Sequence, residues 1–324
     1  MKIFLTGATG YVGSVIAEKL LAAGHEVIGF ARSDEAETKL HQLSIKPHRG
    51  DLSDAQSIKR GIQRADAVIH AAGHQPMVEP GRGVVVITNQ NDPSWQNDFI
   101  RMLGAERNTV NIILSALEGS EKPFIFTSGS FVVADLASGD ASDIVYDEDA
   151  LFAPPSFMAP RVETENLIRS AALRGVHSIV IRPPMIFGRG GTWQILHLIE
   201  RAKGVKSVPY IGKGENIWST VHVDDLSNLY VLALEHASPG SLFNAGTGEV
   251  TAKGLSEAVS RLVGMGSRTE SWTMEQAMGV WGPTVATIVA TNSRVTGTKA
   301  RRELGWEPKG PVILNDIEQG SYCL

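Results

Sequence analysis

The sequence predicts an α/β fold with a doubly wound parallel sheet and a smaller, interleaved carboxy-terminal lobe. Short apolar runs alternate with helix-length segments through about the first 187 residues, and a glycine-rich turn directly follows the first run. Buried strands that alternate with crossover helices form parallel sheets. The chain has 324 residues, 43% of them hydrophobic, which is long for one domain and leaves room for a second region.

The predicted elements follow in chain order. Strands are expected at residues 3–5, 27–30, 68–69, 124–126 and 179–181, with one more strand, the third in chain order, before Asp51. Helices are expected from Val12 to a closing Gly24 and at 34–43, 55–62, 99–117 and 161–173. Two stretches rich in Gly, Pro, Asp and Ser, 75–96 and 134–160, are predicted to be long loops. Beyond residue 188 we expect helices at 193–202 and 224–236 and a helical carboxy-terminal region.

Composition and charge exclude several classes of partner. The net charge of -5 offers no broad basic surface for nucleic acid, so a small-molecule substrate is expected. Cys323 is the only cysteine, which excludes a disulfide framework and a thiolate metal site. The chain turns at Gly7 without an apolar leader, and no apolar run reaches the ~18 residues of a membrane span. We therefore expect a cytoplasmic protein without a membrane partner.

The segment from Thr6 to Gly13, Thr-Gly-Ala-Thr-Gly-Tyr-Val-Gly, lies between the first strand and the first helix. In this context Gly7 permits a tight turn, Gly10 lets the backbone approach a pyrophosphate, and Gly13 lets the helix pack on the strand. Free N–H groups and the helix dipole hold the anion. Glycines that only punctuate a turn are the alternative. The segment predicts a dinucleotide site with contacts from Gly7, Thr9, Gly10, Tyr11, Val12 and Gly13.

The end of the second strand indicates which dinucleotide is preferred. A site selective for NAD carries an acid there, whereas this chain has Ala31, Arg32 and Ser33. A guanidinium can fork onto a 2'-phosphate, so NADP(H) is favoured and NAD(H) stays possible. Alternatively, Arg32 is a solvated charge and Ser33 is only the N-cap of the next helix. The adenine pocket and the edge of the dinucleotide are predicted to involve Asp51, Leu52, Ala71, Ala72 and Gly73.

Five further motifs are spread along the rest of the chain. They are His-Ala-Ala-Gly at 70–73, Phe-Thr-Ser-Gly at 126–129, Ile-Arg-Pro-Pro-Met-Ile-Phe-Gly at 181–188, Val-His-Val-Asp-Asp-Leu at 221–226 and Gly-Trp-Glu-Pro at 305–308. With the glycine motif, they resemble the NAD-dependent epimerase/dehydratase family, in the extended and atypical short-chain dehydrogenases/reductases, from Met1 to about Tyr322. The resemblance implies a Rossmann domain over 1–187 and a mainly substrate-binding lobe over 188–324.

The resemblance also identifies altered catalytic positions. Hydride-transferring members usually carry a Ser or Thr after the fifth strand and then Tyr-x-x-x-Lys. Aligned on the helix that contains Glu165, the lysine position is Arg161, the tyrosine position is Phe157, and the serine position falls on Gly129. Arg161 can hold ribose hydroxyls but cannot shuttle protons. Phe157 has no exchangeable proton.

A proton donor must therefore come from elsewhere. Ser128 and Ser130 flank the serine position, and Tyr146 can fold in from the long loop. The substrate's own protons are a further source. We take Ser128, Ser130, Tyr146 and Arg161 as candidate catalytic residues, and Pro184, Met185 and Ile186 as contacts of the nicotinamide.

Other polar and aromatic residues also stand near the predicted site. His222 precedes a helix that Asp224 or Asp225 is expected to cap, so its predicted role is structural, with substrate contact as the alternative. His70 and His74 flank a turn that separates them, and no metal site is expected. Trp193, Trp218 and Tyr210 either close on the substrate or pack in the core.

The sequence predicts an NADP(H)-dependent reductase that transfers hydride to a carbonyl or similarly polarised double bond of a small molecule. One alternative is a regulatory or redox-sensing NADP(H)-binding protein without turnover. Another is a nucleotide-sugar type of epimerase or dehydratase, which the Ala31-Arg32 pair disfavours. A homodimer through helices 99–117 and 161–173 is an expectation by analogy alone.

Overall fold

The structure is a computed structural model that describes residues 1–73, 95–136, 139–202 and 206–323. Its strands are β1 (Lys2–Thr6), β2 (Glu26–Ala31), β3 (Lys46–Arg49), β4 (Ala67–His70), β5 (Pro123–Thr127), β6 (His177–Arg182), β7 (Met185–Phe187), β8 (Val208–Ile211), β9 (Ile217–His222), β10 (Ser241–Asn244), β11 (Gly248–Thr251) and β12 (Thr269–Trp272). Its α-helices are α1 (Tyr11–Ala22), α2 (Asp34–Gln42), α3 (Ala55–Gln63), α4 (Trp95–Leu117), α5 (Ala159–Ser170), α6 (Trp193–Ala202), α7 (Val223–His236), α8 (Ala252–Leu262), α9 (Met274–Val289), α10 (Thr298–Leu304) and α11 (Ile313–Gln319).

The central sheet has seven strands in the order β10-β6-β5-β4-β1-β2-β3. All six neighbouring pairs are parallel. Successive strands are added on one side of β1 as far as β3 and then on its other side from β4 onward, so the strand order reverses between β1 and β4. Ligands of such sheets bind at that point, in the crevice outside the carboxyl ends of the strands. The glycine turn after β1 opens onto this crevice.

Two apolar layers cover the two faces of the sheet, as the doubly wound prediction requires. Side chains of α1, α7 and α10 form one buried cluster with β1, β6 and β10. Side chains of α3, α4 and α5 form another with β4 and β5. Because strands buried on both faces are apolar throughout, they read in the sequence as short continuous runs. The predicted fold class is confirmed.

The remaining elements form a smaller unit at the carboxyl edge of the sheet. A three-stranded sheet has the order β11-β9-β7, and β12 pairs with β8. A third apolar cluster joins β7, β8 and β9 to α6, α8 and α11. The chain returns to the central sheet through α7 and β10, which lie between elements of this unit in sequence.

Some predicted elements differ from the observed ones. The region expected to be helical at the carboxy terminus contains β10, β11 and β12, whose four residues each are too few to show a periodic pattern. The run 75–96 was expected to be a loop to its end, but α4 already begins at Trp95; the rest of that run and His74 lie outside the described residues. α5 begins at Ala159 rather than at residue 161, because Pro160 is accepted in the first helical turn.

Helices long and apolar enough to cross a bilayer are absent from the described ranges.

Candidate active site

The loop after β1 is built so that only glycine fits at two positions. Gly7 has a φ of +79°, and a Cβ there would lie 2.7 Å from the backbone of Ala71 and Ala72. A Cβ on Gly13 would lie 2.0 Å from the Gly7 carbonyl oxygen. The glycine loop therefore packs directly against the backbone of Ala71 and Ala72, and their shared role in one site stays a prediction.

The amino terminus of α1 closes this loop. Gly10 is the N-cap residue, and among the described residues no side chain caps the helix. The first N–H groups of a helix have no intrahelical partner and carry a partial positive charge. The backbone N–H groups of Tyr11, Val12 and Gly13 could therefore hold an anionic group such as a pyrophosphate.

A second loop, residues 188–191, is tied to the glycine loop. The Tyr11 hydroxyl donates to the Gly188 carbonyl oxygen at 2.7 Å. Arg189 forms bidentate hydrogen bonds with Glu18 of α1 and with Asp224 of α7. The hydrogen bond from Arg189 lowers the pKa of Asp224 to about 2. The Tyr11 side chain is therefore a tether, and its backbone N–H is the part left for a cofactor.

The groups after β2 present one uncommitted cation. The Ser33 hydroxyl accepts a hydrogen bond from the Ala36 N–H at 3.3 Å, which confirms the N-cap interpretation of this side chain. Arg49 is paired with Asp34 of α2 at 2.7 Å. Arg32 is exposed, and among the described residues no ion pair or hydrogen bond occupies its guanidinium. Arg32 is thus available to an anionic group near the end of β2.

Asp51 and Leu52 follow β3 in the same edge of the sheet. The Asp51 carboxylate accepts hydrogen bonds from the N–H and hydroxyl of Ser53 at 2.8 and 2.6 Å. Leu52 packs against the cluster under α3 and α4, and its carbonyl oxygen accepts from the Thr109 hydroxyl at 3.3 Å. These bonds shape the loop, and the predicted adenine contact by both residues stays a prediction.

Ser128 belongs to a buried ionic network at the end of β5. Its hydroxyl donates to the Glu165 carboxylate, which in turn binds Arg182 of β6 through two oxygens. The side chains of Glu165 and Arg182 are only 1% and 6% exposed. The Arg182 guanidinium also lies 5.3 Å from the centre of the Phe152 ring. Ser128 thus has its single donor committed to Glu165.

Ser130 and Tyr146 lie nearby but do not share that network. The Ser130 hydroxyl is 2.8 Å from the Ser293 hydroxyl, and either can donate. Tyr146 pairs through its backbone with the segment around Val295, and its ring packs edge-on against Phe152 at 6.1 Å. Among the described residues nothing bonds to the Tyr146 hydroxyl.

Arg161 is held by an acid that the sequence analysis missed. Its Nη2 donates to Glu106 Oε2 at 3.0 Å, and the two side chains are 13% and 5% exposed. Burial raises the pKa of Glu106 to about 7, against a lowering by Arg161 and a further raising by Glu165. The Arg161 guanidinium lies 5.8 Å from the centre of the Phe126 ring.

A signal for Glu106 was present in the sequence. The buried face of α4 includes Leu103, Val110, Ile113 and Leu117, and Glu106 falls on the same stripe at helical spacing. A carboxylate in an apolar stripe is rarely buried without a partner. The partner itself lies 55 residues away, beyond what a local pattern shows.

Phe157, at the position where the resemblance places a tyrosine, is buried. It is 3% exposed and contacts the rings of Phe99 and Phe131 at centroid distances of 5.7 and 6.0 Å. The aromatic ring is thus fixed in the core beside Val133 and Met158.

The predicted cap of α7 by Asp224 or Asp225 is wrong. His222 is the N-cap, and its Nδ1 accepts from the Asp224 N–H at 3.3 Å. Asp225 instead accepts hydrogen bonds from the backbone N–H groups of Lys309 and Gly310, both at 2.8 Å. The His222 nitrogen therefore has the capping role that local spacing assigned to the acids, and long-range backbone donors occupy the Asp225 carboxylate. Both roles are structural, as expected for this motif.

The other predicted contacts lie as follows. Met185 and Ile186 belong to β7, where Met185 is 8% exposed, and Pro184 directly precedes that strand. Trp218 is 7% exposed and donates from Nε1 to the Thr291 carbonyl oxygen at 2.8 Å, which is core packing. No cluster of potential metal ligands occurs in the described part of the chain, and His70 Nδ1 is 2.7 Å from the Thr6 hydroxyl.

The parallel sheet and the glycine loop at its reversal point define a Rossmann fold. The chain belongs to the NAD dependent epimerase/dehydratase family, whose sequence profile matches residues 3–82 and 83–246. An uncharacterized protein of Schizosaccharomyces pombe is 31% identical over 99% of this chain and 100% of its own length. The 2-alkyl-3-oxoalkanoate reductase of Stenotrophomonas maltophilia is 26% identical over 74% of this chain and 67% of its own length.

Solved structures share the architecture. The UDP-glucose 4-epimerase of Thermus thermophilus in complex with NAD superposes with a TM-score of 0.74, covers 99% of this chain and 98% of that chain, and is 19% identical. This similarity concerns the fold. The chain is therefore an extended short-chain dehydrogenase/reductase family member with reductases among its relatives.

Proposed function

We propose that the protein is an NADP(H)-dependent reductase of a carbonyl or similarly polarised double bond in a small molecule. The observation that carries the proposal is the glycine loop, where a side chain at position 13 would lie 2.0 Å from the backbone of Gly7. A loop packed this tightly at a helix amino terminus suits a diphosphate. The reductase among the relatives supports the direction of the reaction.

Bound NADPH supplies the hydride, and the chain's residues position the reactants and deliver a proton to the oxygen of the new alcohol. Arg161 would hold the nicotinamide ribose, and the backbone at Pro184, Met185 and Ile186 would contact the nicotinamide. Ser130 is the better proton donor of the two serines. When the Ser293 hydroxyl donates to the Ser130 oxygen, the Ser130 proton is free for the substrate. Ser128 donates to Glu165 and would first have to break that bond. Tyr146 is the second candidate donor.

The preference for NADP(H) is supported by the uncommitted guanidinium of Arg32. Arg32→Glu is expected to weaken NADPH binding by about 10- to 100-fold, because hydrogen bonds to charged groups contribute about 1.5–3 kcal/mol and the new acid repels the 2'-phosphate. NADH binding should be nearly unchanged. Calorimetric titration of both nucleotides measures the change.

Arg64→Glu is the matched control. Arg64 is also exposed, but it precedes β4 and so lies at the amino ends of the strands, whereas Arg32 lies at their carboxyl ends. The control should bind both nucleotides as the natural protein does. Equal losses for NADPH and NADH in Arg32→Glu would contradict the assignment of Arg32 to the 2'-phosphate.

The proposed activity is tested with NADPH and a panel of ketones, aldehydes, imines and enones. With NADPH deuterated at the transferring position, the alcohol or saturated product should gain one deuterium, as measured by mass spectrometry. Binding of NADPH without oxidation across the panel would overturn the proposed reductase.

A regulatory NADP(H)-binding protein without turnover is the second candidate. The buried, hydroxyl-free ring of Phe157 favours it, since the position at which the family resemblance places a proton donor has none. The double variant Phe157→Tyr/Arg161→Lys separates the two. Turnover that appears only in this variant supports a binding protein, whereas loss of existing turnover supports a reductase with a different proton donor.

A further inference from the structure

The pair formed by Glu106 and Arg161 has polar atoms to spare. Glu106 Oε1 and Arg161 Nε are buried and have no hydrogen-bond partner in the described structure. Buried polar atoms are nearly always satisfied, and those that are not are costly. The ion pair therefore keeps one unused acceptor, on Glu106, and one unused donor, on Arg161.

Other charged groups around Glu106 are already paired or exposed. From α5, Glu165 faces it and raises its pKa, but Arg182 of β6 binds Glu165. Glu163 of α5 pairs with Arg107 of α4 at 2.6 Å on the surface. Arg161 is therefore the cation that faces the Glu106 carboxyl directly.

The elements on the other sides of Glu106 contribute less charge. Lys59 and Arg60 of α3 are the cations of the helix that packs on the far side of α4, and Arg60 is 3.9 Å from Asp54. His70 of β4 stacks on Phe126 at 6.0 Å and has its own partners. Arg101, five residues before Glu106 in α4, also has a partner.

We propose that Glu106 is a titratable positioning residue that sets the net charge of the Glu106–Arg161 pair, so that binding of the anionic dinucleotide is coupled to uptake of a proton by Glu106. This inference rests on the proposed function, which puts Arg161 beside the cofactor ribose. It assigns a role in cofactor binding to a helix, α4, that carries none of the predicted site residues.

The direction of the coupling follows from the charges. Arg161 stays protonated at any physiological pH. The pair carries one positive charge when Glu106 is protonated and none when it is ionised. Because burial raises the pKa of Glu106 to about 7, both states are populated near neutral pH. An anionic ligand binds the positive state more tightly and therefore raises this pKa further.

Nucleotide affinity in the natural protein should then fall as pH rises through about 7. A rise of one unit in the pKa of Glu106 on binding makes the affinity about tenfold lower at high pH than at low pH. The 2'-phosphate of NADPH also changes its protonation in this range, at about pH 6, and contributes its own pH dependence. Glu106→Gln, which keeps this phosphate titration and removes the carboxyl, is the reference.

The test begins with the protein alone. Carboxyl-carbon NMR of protein labelled at glutamate should show a resonance with a midpoint near pH 7 that is missing in Glu106→Gln. Arg161→Gln should move this midpoint upward, since the attraction that lowers it is lost.

Calorimetry of NADPH binding near pH 7, in two buffers of different ionisation enthalpy, then measures proton uptake. The natural protein should take up a fraction of a proton that Glu106→Gln does not. Glu163→Gln is the matched control, because it removes an exposed carboxyl of α5. Proton uptake by this variant on NADPH binding should equal that of the natural protein. Glu106→Gln/Arg161→Gln, which leaves no unpaired buried charge, is the second reference if the single variant does not fold.

Equal proton uptake by the natural protein and by whichever reference variant folds would overturn the inference and leave the proposed function intact. A midpoint for Glu106 below about pH 5.5 would overturn it as well, because the carboxyl would then be ionised at neutral pH, as an unperturbed glutamate with a pKa of about 4.3 is. Absence of NADPH binding by the natural protein would overturn the proposed function, and the inference with it, while the NMR midpoint would still report on the pair.

Discussion

Gly13→Ala is expected to abolish dinucleotide binding. The new Cβ would lie 2.0 Å from the Gly7 carbonyl oxygen and 2.6 Å from its carbon, distances that no packed structure tolerates. α1 must then move away from the loop after β1, and its first N–H groups no longer converge on the pyrophosphate. Since each hydrogen bond to a charged group contributes about 1.5–3 kcal/mol, we expect NADPH affinity to fall by more than about 100-fold.

The matched control for this variant is Gly104→Ala. Gly104 is also a helical glycine, in α4, but a Cβ there meets nothing within 4 Å. Replacing glycine by alanine in an open helical position adds up to about 1 kcal/mol of stability. Fluorescence titration with NADPH and thermal unfolding of both variants give the comparison. Natural affinity in Gly13→Ala would show that the pyrophosphate lies elsewhere.

The glycine loop could be predicted from sequence because all its parts are contiguous. The turn at Gly7, the cap at Gly10 and the packing position at Gly13 fall within seven residues, between a strand and a helix that the apolar pattern also predicts. The sheet was predictable for the same reason, since each crossover unit is read from neighbouring residues. β3 has no apolar run, because Lys46 and Pro47 occupy this edge strand, so the sequence predicted it only as the strand before Asp51, without bounds.

The rest of the candidate site depends on contacts between distant residues. Tyr11 reaches Gly188, 177 residues away, and Ser130 meets Ser293, 163 residues away. Gly188 ends the motif at 181–188, but that motif does not indicate which residue contacts it, and Ser293 belongs to no motif. The predicted cap of α7 failed in the same way, because Asp225 binds the backbone of residues 309–310 and Asp224 binds the Arg189 side chain. Sequence patterns identify which faces of helices and strands are buried. The hydrogen bonds between distant residues depend on how those elements pack together, which a local pattern does not show.

Arg182→Met is expected to cause the largest loss of stability. It leaves the Glu165 carboxylate, 1% exposed, without the guanidinium that binds both its oxygens. The Ser128 hydroxyl alone cannot replace a cation, so one buried charge remains uncompensated. Breaking a buried ion pair by removing one partner costs about 3–5 kcal/mol. Denaturant unfolding at neutral pH measures this loss in the free energy of unfolding.

Two variants separate lost charge compensation from lost packing. Arg169→Met removes an exposed arginine from α5 and should change stability by less than about 0.5 kcal/mol. Glu165→Gln/Arg182→Met removes both charges, keeps an acceptor for Ser128, and should recover most of the stability, since neutral replacements of buried ion pairs are often tolerated. A double variant as unstable as Arg182→Met would mean that the contact of Arg182 with Phe152, 5.3 Å from the ring centre, matters more than its charge. Recovery would instead show that the network at the end of β5 holds Ser128 in place through electrostatics, at the edge of the sheet where the proposed reaction occurs.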